Sequence, residues 1–268
     1  MSRDTFLGSV VVLDTETTNL HAELAEIVEV ASAVYVNDRW QVASRLLGAV
    51  NGIPPEASAK NNISNRMIAG LPTFEQESDG VADLLNWDRA TYFVAHNCRY
   101  DQDVLAHSWA KMGSVSDAEK ALDRSRWICT HRLSKHLLRD VDFPDMQYNL
   151  SFLRYKLDLP IPEDVVAHRA GADTLVCAIL FEFLVDYATE IGRIDPSGDV
   201  GQQMHDLCWS TIPYVIWPFG KNKGKPLAEI GTDYYMWAMQ NMDALNEDKA
   251  GYDADLAASV AAELERRL

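Results

Sequence analysis

Short apolar runs alternate with longer stretches of helical periodicity along this chain. Val10-Val11-Val12-Leu13 and Tyr92-Phe93-Val94-Ala95 are compact, mostly β-branched or aromatic, and bounded by polar residues, so both predict buried strands. Residues 26–40 and 41–50 predict two further strands, forming an antiparallel meander with the first. Ile128-Cys129-Thr130 predicts a fifth, followed by a helix to about Leu138. Residues 48–62, with Pro54 and Pro55, predict a loop. Helical spacing covers residues 63–69, 74–85, 150–157 and 170–191. Asn97 stands where an N-cap would start a helix to about Met112, with Val104, Leu105, Trp109 and Met112 as its apolar face. This order predicts an α/β fold, a mixed five-stranded sheet flanked by helices.

The pattern changes after residue 191. Pro196, Ser197, Gly198 and Gly201 predict a linker over 192–206. Beyond it aromatic residues concentrate, and residues 215–219 and 225–228 predict a hairpin turning through a lysine-glycine loop. Thr232 is placed to cap a helix through Met242. The chain therefore divides into residues 1–191, a linker, and a small α+β module over 207–268.

Three motifs carry chemistry: Leu13-Asp14-Thr15-Glu16-Thr17, His96-Asn97-Cys98-Arg99-Tyr100-Asp101, and His168-Arg169-Ala170-Gly171-Ala172-Asp173. Side chains two apart on a strand share a face, so Asp14 and Glu16 project together at a strand end. Two carboxylates that close repel unless a cation sits between them, and Mg²⁺ suits such a pair. Asp101 and Asp173 each fall in a predicted first helical turn, where an acid also complements the helix dipole. His168 lies in a loop before the last helix. His96 reads as a hydrogen-bonded structural histidine. Four converging carboxylates and one histidine are equipment for phosphodiester hydrolysis.

These motifs, in this order and spacing, resemble the DEDDh (DnaQ-like) family of 3′→5′ exonucleases over about residues 8–190. The resemblance implies a ribonuclease-H-like sheet and two ions per site, Mg²⁺ with Mn²⁺ as substitute. It maps Asp14, Glu16, Asp101 and Asp173 onto the metal ligands and His168 onto the general base. Leu20 occupies the family's apolar position against the terminal base, with His21 beside it, and Asn97 is a further nucleic-acid contact. Arg126-Trp127-Ile128-Cys129-Thr130 and Phe219-Gly220-Lys221-Asn222-Lys223-Gly224-Lys225 resemble segments of one branch of that family, the second lying in its small C-terminal module. The implied reaction is release of 5′-mononucleotides from the 3′ ends of DNA, single-stranded or duplex. An exoribonuclease with the same residues is the alternative, and a catalytically silent nucleic-acid-binding scaffold the remote one.

Composition bounds the rest. With 268 residues and 47% hydrophobic positions, the chain can build one full domain and a small module. No stretch has the length of a membrane span and the N-terminus lacks a signal-peptide layout. Cys98, Cys129, Cys177 and Cys208 show no paired spacing and are expected as buried thiols in a reducing cytoplasm. The net charge of −16 runs against polyanion binding, so weak, salt-sensitive, poorly processive binding is expected. Two basic clusters offset it, one over residues 124–139 and one at Lys221, Lys223 and Lys225. The lysines are expected nucleic-acid contacts, beside aromatics able to stack on bases. Oligomeric state is not read from the chain, which leaves a homodimer open.

Overall fold

The computed structural model describes residues 1–139, 147–162, 169–249 and 251–267. Two compact units divide at Trp209/Ser210.

The first unit is built on five strands: β1 (Val10–Thr17), β2 (Ile27–Val36), β3 (Arg39–Leu46), β4 (Tyr92–Ala95) and β5 (Trp127–Cys129), in the spatial order β3-β2-β1-β4-β5. β1, β2 and β3 pair antiparallel, while β4 and β5 run parallel to β1. The expected mixed sheet is thus observed. The β2–β3 boundary differs from expectation. Asn37 and Asp38 form a two-residue turn, both with positive φ, joining Val36 to Arg39. Such a turn matches the twist of the strands, and Asn and Asp tolerate it.

Helices of this unit are α1 (Arg3–Leu7), α2 (Pro55–Asn61), α3 (Ser78–Leu84), α4 (Arg99–Lys111), α5 (Val115–Leu122), α6 (Thr130–Leu137), α7 (Leu150–Lys156), α8 (Ala170–Glu190) and α9 (Val200–Trp209). α8 packs across β1, β2 and β3. Its apolar face, including Cys177, Leu180, Phe181 and Leu184, is fully buried. An aromatic column of Trp87, Phe93 and Trp127, with centroid separations of 4.7 and 5.3 Å, fills the opposite side of the core.

Further expectations for this unit are corrected. Residues 63–69 form turns, not a helix, and α2 occupies part of the expected loop, with Pro55 at the first helical position. Asn97 is not the cap of α4; Cys98 holds that position and Asn97 is left-handed, at φ 63°. Asn is among the few residues that adopt this conformation at low cost. Most of α9 falls within the expected linker and the helix runs past its end, with Val200, Met204 and Cys208 buried at four-residue spacing. Gly201 is a packing glycine rather than a linker glycine. A Cβ there would lie 2.9 Å from the Phe6 ring.

The second unit contains α10 (Thr232–Asn241) and α11 (Ala254–Glu265) around a core of Trp217, Leu227, Ile230, Tyr235, Leu256 and Val260. Asp253 caps α11 by accepting from the Leu256 amide at 2.9 Å. Gly231, not Thr232, is the N-cap position of α10. The expected hairpin is reduced to one antiparallel bridge, Ile216 with Pro226. Two backbone bonds flank that pair, Trp217 N–H to the Lys225 carbonyl at 2.8 Å and Leu227 N–H to the Val215 carbonyl at 2.9 Å.

Candidate active site

Three strand and helix ends build the site. β1 delivers Asp14 and Glu16 to the same face, and α8 brings Asp173, one turn from its start. The half-buried carboxylates of Asp14, Glu16 and Asp173 offer oxygens that all lie within 4.8 Å of one another. Thr15, between the two strand acids, turns to the opposite face. Its hydroxyl donates to Asp101 at 2.8 Å. Asp101, in the first turn of α4, is only 4% exposed.

Burial above all raises the pKa of Asp14, Glu16 and Asp101. Burial, then the charges of Asp101, Glu16 and Asp173, push Asp14 well above the carboxylate range. Burial, followed by Asp173 and Glu29, lifts Glu16 to about 7. Asp101 also rises to about 7, mainly through burial, against the lowering effect of the Thr15 hydrogen bond. A concentration of hard oxygen donors that resist ionisation together fits a divalent cation, whose charge would offset their repulsion.

Glu29 lies outside the three motifs. It stands directly opposite Glu16 in the β1–β2 register and is 1% exposed. Its carboxylate accepts from Arg169 Nε at 2.9 Å and Nη2 at 2.8 Å, and from the Ala170 amide at 3.1 Å. It therefore anchors the start of α8, the helix that carries Asp173. A lone acid inside Ile27-Val28-Glu29-Val30-Ala31 was the available signal, since a buried charge needs a partner.

A cavity of about 410 Å³ opens beside Glu16, lined by Thr17, Leu20, His21, Lys60, Asn61 and Tyr100 among others. Leu20 is 73% exposed. Tyr100 donates its hydroxyl to the Asn19 carbonyl, and Asn61 donates to the Thr17 carbonyl at 3.4 Å, so both brace the loop carrying Leu20 and His21. Asn97 is exposed at the start of α4. His168 lies outside the described residues. Lys221, Lys223 and Lys225 belong to the second unit.

His96 has the structural role expected of it. Its ring nitrogens engage Thr130 Oγ1 at 2.9 Å and the Tyr148 carbonyl at 2.8 Å. Burial, with His131 nearby, pushes it down to about 4. In the basic segment, Arg126 donates to the carbonyls of Trp87 and Ala90, both at 3.0 Å. Arg132 donates to the Cys208 carbonyl at 2.8 Å. Both arginines are thus tied into the fold. The four cysteines are buried free thiols.

A family model for exonucleases, that of RNase T, matches residues 11–181. The chain belongs to this exonuclease family. Exodeoxyribonuclease 10 of Escherichia coli K12 is 25% identical over 242 residues, covering 88% of this chain and 93% of that protein. DNA polymerase III subunit epsilon of Treponema pallidum is 29% identical over 178 residues, covering 64% of this chain and 74% of the relative. The solved structure of exonuclease X in complex with 5′-overhanging duplex DNA matches with a TM-score of 0.52 at 25% identity, covering 74% of this chain and 99% of that one. The family assignment makes the protein a 3′→5′ exonuclease of the DEDDh-like group on a ribonuclease-H-like sheet. The family is divalent-metal dependent, and the acidic cluster is the feature of this chain that answers to it. Among the described residues no helix is long and apolar enough to cross a membrane.

Proposed function

We propose that the enzyme releases 5′-mononucleotides from the 3′ ends of DNA, single-stranded and duplex. The observation that carries this reading is the convergence of Asp14, Glu16 and Asp173, with oxygens within 4.8 Å, beside a buried Asp101. Asp14, Glu16 and Asp173 would hold one cation, and Asp14 with Asp101 alongside a second. Mg²⁺ is the ion that this oxygen set favours, with Mn²⁺ as substitute. Bound there, two ions supply charge to the attacking and leaving oxygens of an in-line displacement.

The residues of the chain do the rest. Thr15 holds the Asp101 carboxylate in one orientation. Glu29 and Arg169 fix the start of the helix that bears Asp173. His168 takes the proton from the attacking water, a task suited to an imidazole titrating near neutrality. Leu20 and His21 pack against the terminal nucleotide in the cavity beside Glu16, with Asn97 a further contact. Lys221, Lys223 and Lys225 hold phosphates of the strand. Support for DNA comes from the relatives, one called an exodeoxyribonuclease and one solved with duplex DNA. Buried free thiols fit a reducing cytoplasm.

Mononucleotide release from matched DNA and RNA strands, combined with Mn²⁺ calorimetry on wild type and His168→Ala, tests this. DNA is expected to be consumed faster. His168→Ala is expected to lower turnover about 10²- to 10⁴-fold and leave Mn²⁺ affinity within about threefold. Release from RNA alone would make the enzyme an exoribonuclease. Loss of Mn²⁺ affinity in the variant would make His168 a ligand.

A further inference from the structure

The aromatic residues of the second unit separate into two groups. Trp217 and Tyr235 are fully buried and form the core. Trp237 is 51% exposed on α10. It lies three residues after Tyr234, which places both on one helix face. Their rings meet at 5.5 Å with a 32° tilt. Lys221 Nζ sits 5.1 Å above the Tyr234 ring.

The adjoining loop is cationic and exposed. Lys221, Lys223 and Lys225 alternate with Asn222 and Gly224. Asn222 is buried, while the three lysines on either side of it and of Gly224 are exposed. Gly220 and Gly224, with φ of 64° and 82°, supply the backbone conformations the turn requires. Among the described residues no carboxylate lies within ion-pair distance of any of the three lysines. In a chain of net charge −16, three neighbouring cations without acidic partners are a marked local reversal.

From these observations we infer that the second unit is a single-strand binding module, with the Trp237–Tyr234 face stacking unpaired bases and Lys221, Lys223 and Lys225 holding the phosphates alongside. Every base presents a π-face, so such a platform accepts strands without regard to sequence. Core packing accounts for Trp217 and Tyr235, but neither for an indole half in solvent nor for three cations without acidic partners among the described residues. This inference rests on the proposed nuclease reading only in taking the ligand to be a nucleic-acid strand.

The test uses the full-length chain with fluorescent dT₂₀ and rU₂₀, followed by anisotropy in EDTA. Without metal, the carboxylates of the first unit repel a strand, so binding reports other surfaces. Trp237→Ala is expected to weaken binding about tenfold or more, and Trp237→Phe to restore most of it. The Lys221→Ala/Lys223→Ala/Lys225→Ala triple variant is expected to flatten the slope of log K against log salt by about two. Thermal unfolding of each variant checks folding, and the lysine variant decides the matter if Trp237→Ala does not fold. Equal loss on dT₂₀ and rU₂₀ assigns a platform that ignores the 2′-hydroxyl; loss on one alone assigns its sugar. Wild-type affinity in both variants overturns the inference. So does a change in oligomeric state by light scattering with strand affinity intact, which would assign the surface to a second copy of the chain. Mn²⁺-dependent hydrolysis of p-nitrophenyl thymidine 5′-phosphate by wild type, beside an Asp14→Ala control, tests the catalytic reading separately.

Discussion

Glu29 accepts from one edge of the Arg169 guanidinium, Nε at 2.9 Å and Nη2 at 2.8 Å, while facing Glu16 across the β1–β2 ladder. A buried acid opposite a site acid would be repulsive on its own. Arg169 offsets that repulsion and lowers the pKa of Glu16 from what burial and its acidic neighbours would otherwise impose. The same carboxylate accepts from the first amide of α8, so the pair also fixes where that helix begins. Replacing Glu29 by Ala is expected to destabilise the fold by roughly 2–4 kcal/mol, because the Arg169 charge and the Ala170 amide lose their partner. Glu29→Gln keeps the shape and one acceptor, so its loss should be smaller. Urea unfolding measures both. Mn²⁺ affinity is expected to fall about tenfold in Glu29→Ala as Asp173 loses its fixed position.

The site acids set a pH dependence whose sign can be stated. Glu16 and Asp101 are raised to about 7, and Asp14 is raised well above the carboxylate range. In the unfolded chain such groups ionise near pH 4. Their contribution to stability is thus fully present below about pH 4 and is lost as pH rises through about 7. His96 and His131, both pushed down to about 4, act in the opposite sense only below about 6.5. Between pH 6.5 and 8 one group acts in the opposite sense, the Cys129 thiol, which its contact with Cys98 pushes down to about 6, and the three acids outweigh it. The metal-free protein is expected to melt lower at pH 8 than at pH 6.5, and MnCl₂ to raise the melting temperature more at pH 8. Scanning fluorimetry checks this, and an equal Mn²⁺ effect at both pH values would contradict it.

Asp14 is the acid on which the other charges converge. Removing its charge should separate function from stability. Asp14→Asn is expected to stabilise the metal-free protein by roughly 1–2 kcal/mol at pH 8, through relief of like-charge repulsion. The same variant should lose at least about a thousandfold in strand hydrolysis. Denaturation in EDTA and a mononucleotide-release assay read the two effects.

Much of this arrangement is legible in the sequence. Asp14, Glu16 and Asp173 declare themselves because a strand end and a helix start each fix where a side chain points, and periodicity locates both. β1 and β4 follow from short apolar runs. The misplaced elements have local causes. Asn37-Asp38 is a turn without glycine, inside what reads as one long strand. Gly201 looks like linker composition, yet it lets α9 approach Phe6. Glu29 is not legible locally, because its role depends on Arg169, 140 residues away, and sequence spacing does not report pairing at that distance.

Arg126 separates the structural from the nucleic-acid reading of the basic segment. Its guanidinium serves two backbone carbonyls and lies 4.8 Å over the Phe93 ring. Arg126→Ala is expected to destabilise the protein by roughly 2–3 kcal/mol. Strand affinity and its salt slope should be unchanged. A lowered slope without loss of stability would show that Arg126 neutralises a phosphate instead.

Direction and chemistry of cleavage are tested most directly by a time course on 5′-labelled single-stranded DNA with Mg²⁺ or Mn²⁺, beside an Asp14→Ala control. Stepwise shortening from the 3′ end, absent in the control and in EDTA, is the predicted result. Immediate release of the labelled 5′ nucleotide, internal cuts without a ladder, or equal activity in Asp14→Ala would contradict the account.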